Sequence, residues 1–513
     1  MLRPRLLVTG ASGFVGRHLL DAFKDTYRIF GLARQTQSRS GAPEHPNISW
    51  FQVDNGDRAT LESVFRAIRD SGGAEVAIHL AAHHDFTGEK HPEYWRASVV
   101  GLRNVLDMCR LTGIRSFVFA SSVAACHYPR PGQALTEINP ADGEHIYATT
   151  KRVGEEMLRE YRADFHSVIV RFAALFTDWC EYSPLFMFLS TWLSNAWHRR
   201  ILAGDGLSAI PYLHVHDLAP LFTRLLERLD RLEPEQVLLA SPDGAVSHLE
   251  LFDAACLHYY GHRVKPILMP RLLCGPGVYL RDLVGRAAVE RPFERPWMLE
   301  YIDRQFNVDA LRTRQLLDWG PRPRLEILRR MPFLIENLKT DPLEWHRRNR
   351  AALKAVHVRS NLRIHHLIEK HELQINEEFT RRLTGLDGPG RFASYQAMEP
   401  DQLQWSTKVI LRHLMNTVRT RDKAVLISYC RDLAAHRFQQ GFKAREVCDA
   451  LELLNQVCFK ILRRDPDSEG LREDMFDHVT MTLRAGCDQA QDVFETMEAN
   501  GVGRAASRSD PPT

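Results

Sequence analysis

Apolar residues fall along this chain in two textures. Up to about residue 172, short continuous apolar runs alternate with stretches of helical spacing. Arg5-Leu6-Leu7-Val8, Tyr27–Arg34, Ile48–Asp54, Val76–Leu80, Ser116–Ala120 and Ser167–Arg171 read as strands buried on both faces, and the segments between them repeat apolar positions every three or four residues. Strands alternating with helices predict an α/β fold with a doubly wound parallel sheet. From about 172 to 335 the pattern loosens into prolines, aromatics and short helical pieces, as expected of a small substrate lobe. From Asp341-Pro342 onward long helical segments take over (343–384, 400–417, 421–438, 443–463 and 469–498), broken by Gly385-Leu386-Asp387-Gly388-Pro389-Gly390 and Asp465-Pro466-Asp467. The expected organisation is a sheet domain with its lobe over 1–340, a separate all-helical domain over 341–500 and a disordered tail over 501–513.

Length agrees with that division, since 513 residues exceed what one hydrophobic core supports. Charge excludes more than it suggests. Lys and Arg number 67 against 64 Asp and Glu, a net +3 that gives no reason to expect a nucleic-acid partner. The nine cysteines are scattered without a Cys-x-x-Cys pair, which argues against a zinc site and a disulfide framework. His83-His84 and His365-His366 with His371 have no further ligands at recognised spacing, so no metal is expected. The first strand begins almost at the first residue, and no apolar run reaches the roughly 18 residues of a membrane span. A cytoplasmic protein in a reducing compartment is the expectation.

The first strand runs into Val8-Thr9-Gly10-Ala11-Ser12-Gly13-Phe14-Val15-Gly16 and then a helical pattern. In such a strand–turn–helix, Gly10 permits the tight turn, Gly13 lets backbone amides approach a pyrophosphate, and Gly16 lets the helix pack close to the strand. Farther on, Tyr147 and Lys151 stand four apart on one helical face, where a cation and an oxidised nicotinamide would both favour the phenolate. Ser121-Ser122 ends a strand at the carboxyl edge of the predicted sheet, where ligands bind in doubly wound folds.

Taken together, these features resemble the extended short-chain dehydrogenase/reductase family, also called the NAD-dependent epimerase/dehydratase family, over about residues 5–335. The matching positions are Thr9-Gly10-x-x-Gly13-x-x-Gly16, Asp54, His79-Leu80-Ala81-Ala82, Gly101 with Asn104, Ser121-Ser122, Tyr147-x-x-x-Lys151, Arg171 and His214-Val215-His216-Asp217-Leu218-Ala219. The resemblance implies a Rossmann sheet, with Tyr147 as acid/base, Lys151 on the nicotinamide ribose and lowering the tyrosine pKa, and Ser122 bonded to the reacting oxygen. It also implies a cofactor cradle of Gly10, Ser12, Gly13, Phe14, Val15, Gly16, Leu80, Ala81 and Ala82, with Asp54 on the adenine amino group. Ala33-Arg34 stands where NAD-selective folds carry an acidic residue, so Arg34 points to NADP over NAD. Helices over about 95–111 and 146–162, with Val99, Leu102, Val105, Leu106, Val153, Met157 and Leu158, suggest the homodimer that family members form through such helices.

Departures narrow the reading. Ser98 replaces the family's asparagine, Ala125-Cys126-His127 replaces its Val-Tyr-Gly, and Val123-Ala124 stands where dehydratases carry Asp-Glu, which removes the acid and base of sugar-nucleotide dehydration. The aromatic stretch Phe186–Trp197 with His198-Arg199-Arg200 reads first as packing inside the lobe; an apolar pocket wall and a membrane-surface contact are the alternatives. In the helical part, Arg431–Phe442 followed by Glu446–Leu451 resembles the N-terminal sensor domain of the RsbT co-antagonist proteins, which implies a partner-binding or sensing role; a generic helical dimerisation module stands beside it. The expected protein is an NAD(P)-dependent oxidoreductase or epimerase acting on a hydroxyl or carbonyl carbon of a sugar nucleotide or an apolar alcohol or ketone. The alternative is a cofactor-binding redox sensor that signals through the helical domain.

Overall fold

Seven parallel strands form the sheet in this computed structural model, which describes residues 3–85, 88, 90–287, 295–354, 360–385, 390–468 and 471–506. Six strands coincide with the apolar runs: β1 Arg5–Thr9, β2 Arg28–Ala33, β3 Ile48–Gln52, β4 Val76–His79, β5 Ser116–Ser122 and β6 His166–Phe172. The seventh, Gln236–Ala240, lies in the loosened stretch and pairs with the outer side of β6. Across the sheet the order is Gln236–Ala240, β6, β5, β4, β1, β2, β3. The order in which the chain adds strands reverses between β4 and β1, which are parallel like the rest, so the crevice at their carboxyl ends is the expected ligand site.

Successive strand residues point to opposite faces, and each face has its own core. Leu6 and Val8 pack with Leu19, Leu20 and Phe222, whereas Leu7 packs with Phe30, Phe65, Phe117 and Phe119. Burial on both faces is why these strands read as continuous apolar runs. Leu102, Val105, Leu106, Met157 and Leu158 belong to the second core and are at most 3% exposed. They cover the sheet of their own chain, which corrects their use as a pairing surface for a homodimer.

In the lobe, Phe176, Leu185, Phe186, Leu189, Trp192, Phe252 and Met331 form a third core. The helix Ser183–Trp192 is thus mostly lobe interior. Trp345 also belongs to this core, and Asn349 donates from Nδ2 to the Trp179 carbonyl at 2.7 Å and accepts from the Glu181 amide at 2.8 Å. Both sit on the helix Pro342–Lys354, which is otherwise rich in charge and reads from sequence as part of the helical domain. The two compact units accordingly divide after His357, not at 340.

The second unit, Val358–Thr513, contains the helices Ser360–Lys370, Glu372–Thr384, Pro400–Thr420, Ala424–Gln439, Ala444–Leu462 and Met481–Ala506. Its core includes Ile368, Phe379, Leu414, Leu454, Val457 and Phe494. The last helix continues to Ala506, into the segment expected to be a tail, and 507–513 lie outside the described residues. Within the Arg431–Phe442 signature Arg437 is buried: its guanidinium lies over the rings of Phe442 and Tyr395 and donates to Ser406 Oγ, while Gly441 takes a positive φ of 82° to turn the chain between helices. No helix among the described residues is long and apolar enough to cross a membrane.

Candidate active site

At the carboxyl end of β1 the chain turns through Gly10, whose φ of 69° suits glycine; a Cβ there would lie 2.7 Å from the Ala81 amide nitrogen. A Cβ on Gly16 would collide with the carbonyl oxygen of Gly10, so the first helix, α1 (Phe14–Phe23), can lie against the strand only with glycine at this position. The N-terminus of α1 has no acidic residue in its first turn and no side-chain cap at Gly13. Its amides and positive dipole end are therefore available to an anion. These residues fit the pyrophosphate of a dinucleotide.

A single cavity of about 1160 Å³ extends from this cradle into the lobe. Gly10, Gly13, Phe14, Val15, Gly16, Leu80, Ala82, Ser122, Tyr147 and Lys151 line it. Ser12, Ala81, Arg34 and Asp54 do not. Arg34 Nη1 donates to Glu93 Oε1 at 3.0 Å, and Asp54 accepts from the Gly56 amide at 3.0 Å and from Arg96 Nη2 at 3.4 Å.

Ser122, Tyr147 and Lys151 are brought together by β5 and the helix Ile146–Leu158. Ser122 Oγ donates to the Phe172 carbonyl at 3.4 Å, accepts from the Ala124 amide at 3.2 Å, and bonds to Tyr147. Burial pushes the Tyr147 phenol up to about 12, and the Ser122 bond draws it down only in part. Lys151 Nζ donates to the Ala120 carbonyl at 2.6 Å and lies 5.8 Å from the Tyr147 ring centre; burial lowers its pKa to about 8, against the pull of Glu155. The expected lowering of the tyrosine pKa is thus reversed here, because desolvation outweighs every attraction on the phenolate. At neutral pH the phenol holds its proton and the ammonium its charge.

Two histidines flank the phenol: His84, considered in the sequence only as a metal ligand and set aside, and His145, which the sequence reading did not name. His84 meets the Tyr147 ring edge to face at 4.4 Å, and His145 stacks on it at 6.2 Å and on Trp297 at 6.1 Å. Burial lowers the pKa of both, that of His84 to about 4, so both stay neutral. Ser98, the family's asparagine position, accepts from the His83 amide at 3.0 Å and so fixes the loop that carries His84. His145 could have been found from its place as helix N-cap two residues before Tyr147. His84 had no such signal, since its approach to Tyr147 is made by the tertiary fold.

Residues 6–240 match the model of the NAD dependent epimerase/dehydratase family. That match spans a little under half of the chain, and it makes this segment similar to the family. An Escherichia coli O157:H7 N-acetyl-α-D-glucosaminyl-diphospho-ditrans,octacis-undecaprenol 4-epimerase is 31% identical over 31% of this chain and 44% of its own length. The UDP-glucose 4-epimerase of Erwinia amylovora is 29% identical over 33% of this chain and 52% of its own. A sterol-4-α-carboxylate 3-dehydrogenase of Saccharomyces cerevisiae is 28% identical over 33% of this chain and 51% of its own. The chain spans about half the length of these three relatives. Among solved structures, a UDP-glucose 4-epimerase of Thermotoga maritima with UDP-glucose superposes with a TM-score of 0.51 at 16% identity, covering 65% of this chain and 98% of that one. A tyrosine-to-phenylalanine mutant of a Bacillus cereus UDP-glucuronic acid 4-epimerase, in complex with UDP-4-deoxy-4-fluoro-glucuronic acid and NAD, gives 0.50 at 16%, covering 65% and 99%. These superpositions show the shared fold of the first unit.

Proposed function

We propose that the first unit is an NAD(P)-dependent epimerase or reductase that moves hydride and proton at a hydroxyl or carbonyl carbon of a small molecule. One observation carries this: a single cavity joins the Gly10–Gly16 cradle to Ser122, Tyr147 and Lys151. The nicotinamide cofactor, when bound, supplies the hydride donor and acceptor. The chain's own residues manage the proton. Ser122 Oγ and the Tyr147 hydroxyl mark the position of the reacting oxygen, and Tyr147, protonated at neutral pH, gives its proton to that oxygen as charge develops on it. Lys151 keeps a positive charge beside the phenol and favours the phenolate left behind. His84 and His145 pack the ring in place without adding charge.

Arg34 at the end of β2, with no acidic residue beside it in sequence, supports NADP(H) over NAD(H), although its guanidinium is shared with Glu93. For the helical unit, its own core and the sensor-like signature support a role in binding a protein partner.

The test is Tyr147→Phe, which leaves the ring but removes the transferable proton. Turnover should fall by about 10²–10⁴-fold with cofactor affinity nearly unchanged. Equal turnover in wild type and variant overturns the relay.

A further inference from the structure

Away from Ser122, Tyr147 and Lys151, the cavity is walled by apolar and aromatic side chains such as Met187, Phe188, Trp192, Ile210 and Met298. Its rim is built from the short strand Ile201–Ala203, which pairs in parallel with Ile267–Met269, and from the helix Arg271–Ala287 that follows. Trp197, ahead of the first strand, and Cys274, Gly277 and Val278, after the second, reach the cavity. The same segments turn large apolar groups outward: Trp197 is 86% exposed, Ile267 50%, Leu272 90%, Leu273 61% and Tyr279 60%. Among the described residues, a Cβ added at Gly275 or Gly277 would meet nothing within 4 Å. Single exposed leucines are ordinary, but a cluster around the mouth of an apolar cavity marks a contact surface.

Charge indicates what it contacts. Residues 193–204 and 261–279 contain Arg199, Arg200, Arg263, Lys265 and Arg271 and neither Asp nor Glu. Arg199 Nη1 and Arg200 Nε donate to the carbonyls of Ser194 and Lys265, which hold both cations on the rim. Apolar tips within a cationic fringe match an anionic bilayer: headgroups meet the arginines, and the tips enter the acyl boundary to a depth of about 5–10 Å.

We propose that this rim is a lip that docks on an anionic membrane surface and admits a membrane-dissolved, lipophilic alcohol or ketone to the cavity. The choice of substrate class rests on the function proposed above; the docking does not. It also gives Trp197 a role that core packing of the aromatic stretch does not provide.

Flotation of the full chain with buffer-filled vesicles through a sucrose gradient tests the lip. Wild type should float with equimolar phosphatidylcholine and phosphatidylserine, much less with phosphatidylcholine alone, and should be released by salt. Leu272→Glu with Leu273→Glu, at positions outside the cavity wall, should lower partitioning by about tenfold or more while NAD(P)H titration and the thermal melt stay as in wild type. In wild type, vesicles with brominated acyl chains should quench tryptophan emission, and Trp197→Phe should remove most of that quenching, an arm that does not depend on the charged variants. Tyr147→Phe should float like wild type, which separates failure of docking from failure of the proton relay. Wild type that stays unbound, or a Leu272/Leu273 variant that floats equally well, overturns the proposal.

Discussion

Arg171 on β6 and Glu155 on the helix Ile146–Leu158 form a buried, two-pronged ion pair directly beside the candidate site. Nε donates to Oε1 at 3.0 Å and Nη2 to Oε2 at 2.7 Å, and Ser121 Oγ adds a 2.5 Å bond to Oε1. One helical turn before Glu155 stands Lys151, and next to Ser121 stands Ser122, so the pair ties together the two elements that carry the proton relay. Arg171 is 2% and Glu155 7% exposed, a depth at which neither charge is stable alone. Arg171→Met should therefore destabilise the first unit by about 3–5 kcal/mol, because it strands a buried carboxylate. Adding Glu155→Met should recover a large part of that loss. Urea unfolding followed by tryptophan emission measures both; additive losses would show that the pair is not coupled.

The lowered pKa of Lys151 makes stability depend on pH in a defined direction. A lysine held at about 8 in the folded chain and near its ordinary 10.5 in the unfolded chain binds fewer protons when folded between those values. The cost of burying its charge is present below about pH 8 and is relieved as pH rises toward the unfolded value. Between about pH 7 and pH 10, wild type should gain about 2 kcal/mol relative to Lys151→Met. Parallel pH slopes for the two proteins in chemical denaturation would contradict the assignment. Turnover should move the other way, with kcat/KM for carbonyl reduction falling as pH rises through about 8 and the ammonium is lost.

Cofactor choice turns on Arg34. Its ion pair with Glu93, whose side chain is 4% exposed, holds the guanidinium at the end of β2. If it accepts a 2′-phosphate, Arg34→Ala should weaken NADP(H) binding by about tenfold or more and leave NAD(H) binding almost unchanged. Glu93→Gln should raise the preference for NADP(H) by freeing the guanidinium. Fluorescence titration with both reduced cofactors decides it, and tighter NAD(H) binding by wild type would assign the site to NAD.

Residues 358–513 should fold alone. The core made by Ile368, Phe379, Leu414, Leu454, Val457 and Phe494 lies wholly within that span. The separated fragment should give a cooperative helical melt, and residues 1–357 should keep cofactor binding. The cut belongs after His357, since ending at 340 would remove Trp345 and Asn349 from the lobe. A fragment without a cooperative transition would show that the helical core needs the rest of the chain.

Local pattern alone determined six of the seven strands, the glycine turn into α1, and the placing of Tyr147 and Lys151 on one face of a helix. These features are set by near neighbours: an apolar run buried on both faces, a turn that only glycine fits, and a helical four-residue spacing. Tertiary structure alone decided what depends on partners far along the chain. Gln236–Ala240 became a strand because β6 offered an open edge. Leu102, Val105 and Met157, which look like spare apolar surface when counted along helices, proved to be the cover of the sheet. Asn349, in a charged helix, joined the lobe through Trp179 and Glu181, some 170 residues earlier. Burial reversed the expected pKa shift of Tyr147, and the fold set His84 against its ring. Desolvation and long-range packing depend on the whole surrounding volume, which a one-dimensional pattern does not contain.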